Sequence, residues 1–414
     1  MNLKNEMRGT LCILMAGGKG ERLYPLTKAR AKPSVRFGGI YRIVDFTLSN
    51  CLNSDIRRIY VLTQYRSLSL DRHIRLGWNI FNHELDEFIE CVPPQQRNVD
   101  RWYRGTADSI YQNIYILQRE RPKRVLILSG DHVYKMNYND MLAFHIEKQA
   151  DLTVAGVEAP KDEAKGFGVI GCDDDFRIVD WEEKPAEPKT IPGKPDKSFV
   201  SMGVYIFDTE ALVKNVIGDA KDSNSSHDFG KDIVHKMIKS NRVYVHSFRE
   251  ANKESNAYWR DIGTLDAYWQ ANMDLCSETP LCNLYDRDWP IRTYQEQVPP
   301  AKIVASYGSN CSVSGGLETV NCIISGGCVV SGAKIVRSVL SHSVVVGEGS
   351  VVEDAVLLDE CRIGKNVKVK RAIIDHEVSI PDGVTIGYNQ EDDKRRFTIS
   401  PGGVVVVPKG ISLK

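Results

Sequence analysis

Between residues 329 and 386 aliphatic side chains return at a fixed interval. Val329, Ile335 and Leu340 are followed 17 residues later by Val346, Val352 and Leu357, then by Ile363, Val369 and Ile374, and finally by Ile380 and Ile386, a 6+6+5 repeat. Gly, Ser and Asn stand between the apolar positions, so each strand is a few residues long and cannot bury itself alone. Three such strands per coil, with coils stacked on a shared aliphatic core, satisfy that period. The form expected of residues 306–414 is a left-handed parallel β-helix of the hexapeptide kind; a β-sandwich of short strands would not demand a constant interval. Ile323 fits one coil earlier, but Ser312 and Glu318 at its companion positions do not, so an irregular first coil is expected.

Upstream the pattern changes. Residues 11–15, 59–62, 125–128, 152–157 and 204–207 read as strands, and 109–119 and 138–149 have helical spacing. Strands that are apolar throughout belong in a sheet covered on both faces, so residues 9–276 are expected to form a Rossmann-like α/β unit with a mostly parallel sheet. The Pro-, Lys- and Glu-rich stretch 184–197 reads as a surface loop, and 277–305 as the tether to the β-helix. The 54 Lys and Arg are balanced by 54 Asp and Glu, so no global field draws the chain to nucleic acid or an anionic membrane. Its longest apolar runs, such as 11–16 and 404–407, fall far short of the ~18–20 residues that cross a bilayer. With no apolar signal-like segment near residue 1, a cytoplasmic location is expected. Ten cysteines without a Cys-x-x-Cys pair speak against zinc or thioredoxin-like chemistry and for reduced, mostly buried thiols.

Any anion site must therefore be local. The first strand runs into Met-Ala-Gly-Gly-Lys-Gly-Glu-Arg-Leu at 15–23. Gly17, Gly18 and Gly20 let the backbone approach a polyanion, while Lys19 and Arg22 add charge, which describes a phosphate cradle. Leu23 stands where a dinucleotide fingerprint wants a third small residue, and no Walker ending follows. A plain strand-to-helix turn would account for the glycines equally. The segment that follows strengthens the cradle: Lys28, Arg30, Lys32, Arg36 and Arg42 occur with no acidic residue between Glu21 and Asp45. Farther on, Val-Leu-Ile-Leu-Ser-Gly-Asp-His at 125–132 is a buried strand ending in Asp131. Ligands of open α/β sheets sit beyond the carboxyl ends of strands, and a carboxylate there suits Mg²⁺. Asp261, in Tyr-Trp-Arg-Asp-Ile-Gly-Thr at 258–264, is a candidate to share the ion, although either aspartate would also serve as a helix cap or turn residue.

Taken together, Gly-Gly-Lys-Gly-Glu-Arg-Leu (17–23), Arg-Ala-Lys-Pro (30–33), Phe-Gly-Gly-Ile-Tyr-Arg-Ile-Val-Asp-Phe (37–46), Trp-Tyr-Arg-Gly-Thr-Ala-Asp (102–108), Ser-Gly-Asp-His (129–132), Glu-Glu-Lys-Pro (182–185), Ser-Ser-His-Asp-Phe-Gly-Lys-Asp (225–232) and the 258–264 segment resemble the ADP-glucose pyrophosphorylase family. The resemblance spans nearly the whole chain, β-helix included. It implies a glucose-1-phosphate adenylyltransferase reaction, ATP + α-D-glucose 1-phosphate ⇌ ADP-glucose + diphosphate, as the first step of bacterial glycogen synthesis. It places Gly17, Gly18, Lys19, Gly20 and Arg22 on the ATP phosphates, Lys32 on the substrate phosphates, and Gln96 with Gly105 at the adenine. Asp131 and Asp261 match Mg²⁺ ligands. Lys184 matches the residue that holds the sugar phosphate, with Glu183, Ser201, Asp228 and Trp259 around the sugar.

The resemblance further implies a homotetramer with sugar-phosphate or pyruvate-type effectors bound between the basic segment and the β-helix. The matching positions are Arg36, Arg42, His376 and Lys409. Ala29 stands where some family members carry an activator-binding lysine, which puts fructose 1,6-bisphosphate activation in doubt. Three other readings stay open on sequence alone: a related enzyme using another nucleotide, a non-catalytic subunit on the same fold, and an acyltransferase suggested by the β-helix. Neither His342 nor His376 lies in a recognisable catalytic constellation for the last.

Overall fold

Residues 11–16, Leu-Cys-Ile-Leu-Met-Ala, have no polar side chain, and they form the central strand of a nine-stranded sheet. The computed structural model describes residues 3–95, 102–249, 257–305, 318–411 and 413. Strand Leu11–Ala16 pairs in parallel with Arg58–Thr63 on one side and Arg124–Ser129 on the other, and Phe88–Val92 extends the parallel half. Beyond Arg124–Ser129 the long strand Lys197–Asp208 runs antiparallel. It carries Gly168–Cys172 and Leu152–Pro160 as further antiparallel neighbours. Both faces are covered: Cys12, Leu14 and Ala16 pack with Val44 and Leu48, while Leu11 and Ile13 pack with Ile110, Ile116 and Leu117 on the other side. That is the burial an apolar central strand requires.

The helical stretch expected at 109–119 is interrupted. Two helices, Thr106–Gln112 and Ile114–Glu120, meet at Asn113. The Asn113 amide donates to the Ser109 carbonyl at 2.8 Å and to the Tyr103 hydroxyl at 2.9 Å. A side chain that engages local carbonyls in this way competes with the helical ladder and breaks it. The second expected helix is Tyr138–Glu147.

In the second half, short strands stack into three parallel sheets of five, five and six strands, the last closed by an antiparallel pairing of Thr398–Ile399 with Val405–Val407. The 17-residue register holds from Ile335↔Val352 and Leu340↔Leu357 onward. It fails at the first position. Val330, not Val329, faces Val346, and Val330 is fully buried while Val329 is only half-buried. The turn before Ile335 is one residue shorter than the repeat implies, and a one-residue slip sends a strand's side chains to the opposite face. The same slip puts Ile324, rather than Ile323, opposite Leu340. The first coil is irregular as expected, and its strand Glu318–Val320 is exposed. Ser312 lies outside the described residues. Within the expected tether, Lys302–Val304 already pairs with Val329–Ser331.

One of the three β-helix sheets is apolar on both faces. Leu340, Leu357 and Ile374 point into the coil core. Their neighbours Val339, Val356 and Ile373 point outward onto Phe37, Phe46, Tyr268 and Trp269 of the α/β unit. Polar contacts frame this seam: Trp269 donates its indole N–H to the Asp354 carbonyl at 2.7 Å, and Arg371 lies 4.4 Å over the Trp269 ring.

The corrected register makes a direct prediction. Val330→Ala removes buried methyl groups and should destabilise the β-helix by about 2 kcal/mol, whereas Val329→Ala should cost less than about 1 kcal/mol. Urea unfolding of the two variants checks this; equal losses would contradict the register.

Candidate active site

The strand Leu11–Ala16 delivers the Gly-rich segment to the carboxyl edge of the sheet, where it turns into a single 3-10 turn, Glu21–Leu23. Gly20 adopts the left-handed conformation at φ 63° and ψ 33°. A Cβ there would stand 3.0 Å from the Thr27 methyl and 3.1 Å from Lys32 Cβ, so both conformation and space favour glycine. Gly17, Gly18, Lys19, Gly20, Arg22, Lys32, Gly105 and Asp131 all line one cavity of ≈ 870 Å³. The structure thus brings these eight expected positions to one cavity. Gln96 lies outside the described residues.

At the foot of the cavity two carboxylates converge. Asp131 follows the strand Arg124–Ser129 by two residues. Asp261 arrives on Trp259–Asp261, whose antiparallel pairing sets it opposite His132. Ligand atoms of Asp131, His132 and Asp261 all lie within 4.8 Å of one another, the geometry of a possible metal site. The Lys32 ammonium already stands in for a cation: it lies 2.5 Å from Asp131 Oδ2 and 3.3 Å from Asp261 Oδ1, with only 9% of its side chain exposed. Burial works to raise the Asp131 pKa, but Lys32, His132 and the hydroxyl of Ser129 outweigh it and hold the carboxyl well below its usual range. Burial likewise opposes the charge on Lys32, yet Asp131 and Asp261 keep its pKa above the ordinary value. His132 Nε2 sits 3.4 Å from Asp131, its ring edge-on to Trp259 at 5.3 Å.

The positions expected around the sugar form a second group beyond this centre. Trp259 packs at 5.4 Å against Phe167, whose carbonyl accepts the Lys184 backbone N–H at 2.9 Å. The Lys184 ammonium is exposed, 3.6 Å from Glu183. Ser201, Glu183 and Asp228 surround the Tyr205 phenol, whose pKa is driven up by burial, then by Asp228 and Glu183, against an opposing hydrogen bond from Ser201. Asp228 caps the turn that follows it, accepting from the Gly230 and Lys231 backbone. Thr106 joins the two groups. Its hydroxyl donates to Asp228 at 3.3 Å and accepts from Phe229 N at 2.9 Å. Beside it, a Cβ on Gly105 would lie 2.3 Å from the His227 carbonyl, so glycine is required for the two loops to touch.

The basic run behaves differently from a single anion cluster. Of Lys28, Arg30, Lys32, Arg36 and Arg42, only Lys32 lines the cavity. Arg36 pairs with Asp359 at 2.6 Å and with Glu296. Arg42 donates to the Ser34 carbonyl at 2.9 Å, and burial beside Arg36 lowers its pKa to about 10. Arg30 pairs with Asp375 at 2.5 Å and contacts His376 at 2.7 Å; Lys409 pairs with Glu377 at 2.7 Å. Of the positions matched to an effector site, Arg36 is thus engaged with carboxylates from distant sequence, Lys409 with Glu377, His376 with Asp375 and Arg30, and Arg42 with Ser34.

Sequence reasoning did not assign Ser129, Gln64 or Tyr65 to the site, and all three line the cavity. Ser129 donates to Asp131. Tyr65, in the cavity wall, stacks on Trp102 at 5.3 Å and 13°, with the Lys19 ammonium 5.6 Å over the Tyr65 ring. Gln64 and Tyr65 follow the strand Arg58–Thr63; their place beyond the carboxyl end of a parallel strand was the available signal.

Residues 11–278 match the nucleotidyl transferase family, and residues 299–407 match the GlmU-like C-terminal hexapeptide family. The chain is 50% identical over 400 residues to glucose-1-phosphate adenylyltransferase 2 of Alkalilimnicola ehrlichii, covering 97% of this chain and 93% of that one. It is 49% identical over 409 residues to glucose-1-phosphate adenylyltransferase of Shewanella sp. strain ANA-3, covering 98% and 96%. To the protein of that name from Rhodopirellula baltica it is 48% identical over 406 residues, covering 98% and 91%.

Because Lys32 occupies the space between the two carboxylates, it must compete with any cation that binds there. Lys32→Ala should bind Mn²⁺ at least about tenfold more tightly than the unaltered protein, given the size of a close charge interaction. Electron paramagnetic resonance titration without substrate measures this, and unchanged or weaker binding would sink the shared-site reading.

Proposed function

The chain belongs to the glucose-1-phosphate adenylyltransferase family, and we propose that it carries out that family's reaction, forming ADP-glucose and diphosphate from ATP and α-D-glucose 1-phosphate, in the cavity bounded by the Gly-rich loop and the Asp131–Asp261 pair. The observation that carries the site assignment is the buried Lys32 ammonium between two converging carboxylates at the base of a glycine-lined cavity.

The chemistry follows from charge. A phosphate monoester with a second pKa near ~6 is largely dianionic at neutral pH, so its oxygen can attack without a general base. Catalysis then reduces to alignment and neutralisation. Gly17, Gly18 and Gly20 admit the triphosphate close to the backbone, and Lys19 and Arg22 bring positive charge to it. Asp131 and Asp261 offer the hard oxygen donors that suit Mg²⁺, and the ion supplies charge stabilisation to the reacting phosphates. Lys32 stabilises charge on the diphosphate as it departs. Lys184 holds the sugar phosphate, exposed and free to fold onto it, while Glu183, Asp228 and Ser201 offer hydrogen bonds to sugar hydroxyls and Trp259 an apolar face. Thr106 and Gly105 tie the nucleotide side to Asp228, so the two substrates are aligned by one connected wall. His132 orients the carboxylates and has no proton to move in this reaction.

Among the described residues, no helix is long and apolar enough to cross a membrane, and none of the nine described cysteines is in a disulfide. Assembly as a homotetramer, with anionic metabolites acting at the seam of Arg36, Arg42, His376 and Lys409, completes the reading.

Direct assay of ADP-glucose formation, with UTP, dTTP and GTP as competitors, tests the reaction; a preference for another nucleotide would overturn it. Asp131→Asn should lower kcat by at least ~10²-fold, the usual cost of losing one electrostatic stabiliser. Near-normal turnover would remove Asp131 from its role. Lys184→Ala should mainly raise KM for glucose 1-phosphate, and a selective rise in KM for ATP would show the two substrate sides to be exchanged.

A further inference from the structure

Lys32 lies in the one-turn 3-10 element Lys32–Ser34. Arg30 precedes it by two residues and Arg36 follows by four. Neither arginine faces the cavity. Arg30, 9% exposed, meets Asp375, 4% exposed, at 2.5 Å; Arg36, 6% exposed, meets Asp359 at 2.6 Å. The two aspartates sit in the turns after Val356–Leu357 and Ala372–Ile374, strands of adjacent coils paired Leu357↔Ile374. One coil step thus supplies a counter-charge to each end of the segment that carries Lys32.

We propose that Asp359 and Asp375 are positioning residues for Lys32, fixing its backbone against the β-helix so that its ammonium is set between Asp131 and Asp261. The proposal rests on the site assignment given above. Three observations support it. Between Glu21 and Asp45 the chain has no acid, so Arg30 and Arg36 find no carboxylate within their own segment. Both guanidinium groups are buried, where an uncompensated charge is strongly disfavoured, so the segment is held where its carboxylate partners are: Asp375 on Arg30, and Asp359 together with Glu296 on Arg36. A chain of two residues spans at most about 7 Å, so displacement at Arg30 passes almost directly to Lys32. Further contacts keep the rest of the segment still: Ala31 donates to the Arg66 carbonyl at 3.2 Å, and the Arg36 carbonyl accepts the Tyr268 hydroxyl at 2.7 Å.

The test compares Asp359→Asn, Asp375→Asn and Asp359→Ala in the full-length protein, each confirmed folded by circular dichroism at the assay temperature. The Asn variants keep the side-chain shape and remove the charge, which guards against collapse of the fold. The expected result is a fall in kcat of roughly 10- to 100-fold, the scale of an ångström-sized misplacement, with KM for glucose 1-phosphate unchanged because Lys184 lies on a separate element. Formate should restore kcat of Asp359→Ala in a saturable manner and do nothing for Lys32→Ala. Without any substrate, Mn²⁺ affinity of the Asp359 and Asp375 variants should rise toward that of Lys32→Ala, as the competing ammonium loses its placement. Unaltered kcat in both folded Asn variants, or Mn²⁺ affinity equal to that of the unaltered protein in all three, would overturn the proposal. The metal titration needs no turnover, so it still decides the matter if the unaltered protein fails to form ADP-glucose.

Discussion

A sheet with two dry faces holds this molecule together. Val339, Val356 and Ile373 turn outward from the β-helix and are as deeply buried as the Leu and Ile residues beside them that fill its interior. Without that second face the coils would be a free-standing solenoid, and the α/β unit would expose Phe37, Phe46, Tyr268 and Trp269. Apolar burial of this extent is non-directional and sets only proximity. Direction comes from the polar frame: the Trp269 indole on the Asp354 carbonyl, the Tyr268 hydroxyl on the Arg36 carbonyl, and Asp266 accepting from Ser400 and Gly402. The seam fixes the segment from Arg30 to Arg36, and that segment presents Lys32 to the cavity.

Charge is distributed across this scaffold in a way that local sequence does not disclose. The run between Glu21 and Asp45 is wholly basic in its ionised residues, yet folding gives three of its cations separate carboxylate partners. Lys32 takes Asp131 and Asp261, Arg30 takes Asp375, and Arg36 takes Asp359 with Glu296. Most of these carboxylates lie more than 200 positions away along the chain. The zero net charge of the whole chain is thus expressed at short range through long-range pairing, leaving Lys19, Lys32 and Arg22 to face a polyanionic substrate from one wall.

What could be read beforehand follows the same division. Asp131 was legible because a strand of four aliphatic residues has to run into the sheet, and an acid just past its carboxyl end falls where open α/β sheets bind ligands. The Gly-rich turn was legible only through the acid-free basic segment that follows it, since a plain strand-to-helix turn would have used the same glycines. The partners of Arg30 and Arg36 were not, since nothing in a window of 20 residues specifies a contact made by tertiary packing. The β-helix period was plain, but its phase at Val329 and Val330 was not: both are valine, and only the length of the following turn decides which faces inward. The break at Asn113 escaped notice because it depends on a side-chain amide finding the Ser109 carbonyl rather than on propensity.

The short turn before Ile335 also bears on how such a chain can change its length over evolutionary time. A strand of two or three residues has little ladder to misalign, so the second coil absorbs a missing residue by rotating one valine inward in place of another, and the core stays filled. Farther along that freedom is gone. From Leu340 to Ile374 the third sheet is buried on both faces and its turns carry Asp359 and Asp375, so a lone insertion there would turn a buried valine into the coil and carry a carboxylate away from its arginine. Length variation among descendants of this chain is therefore confined to the open end of the solenoid, or to whole coils added at once, and the middle coils are held to their count by the catalytic half they support.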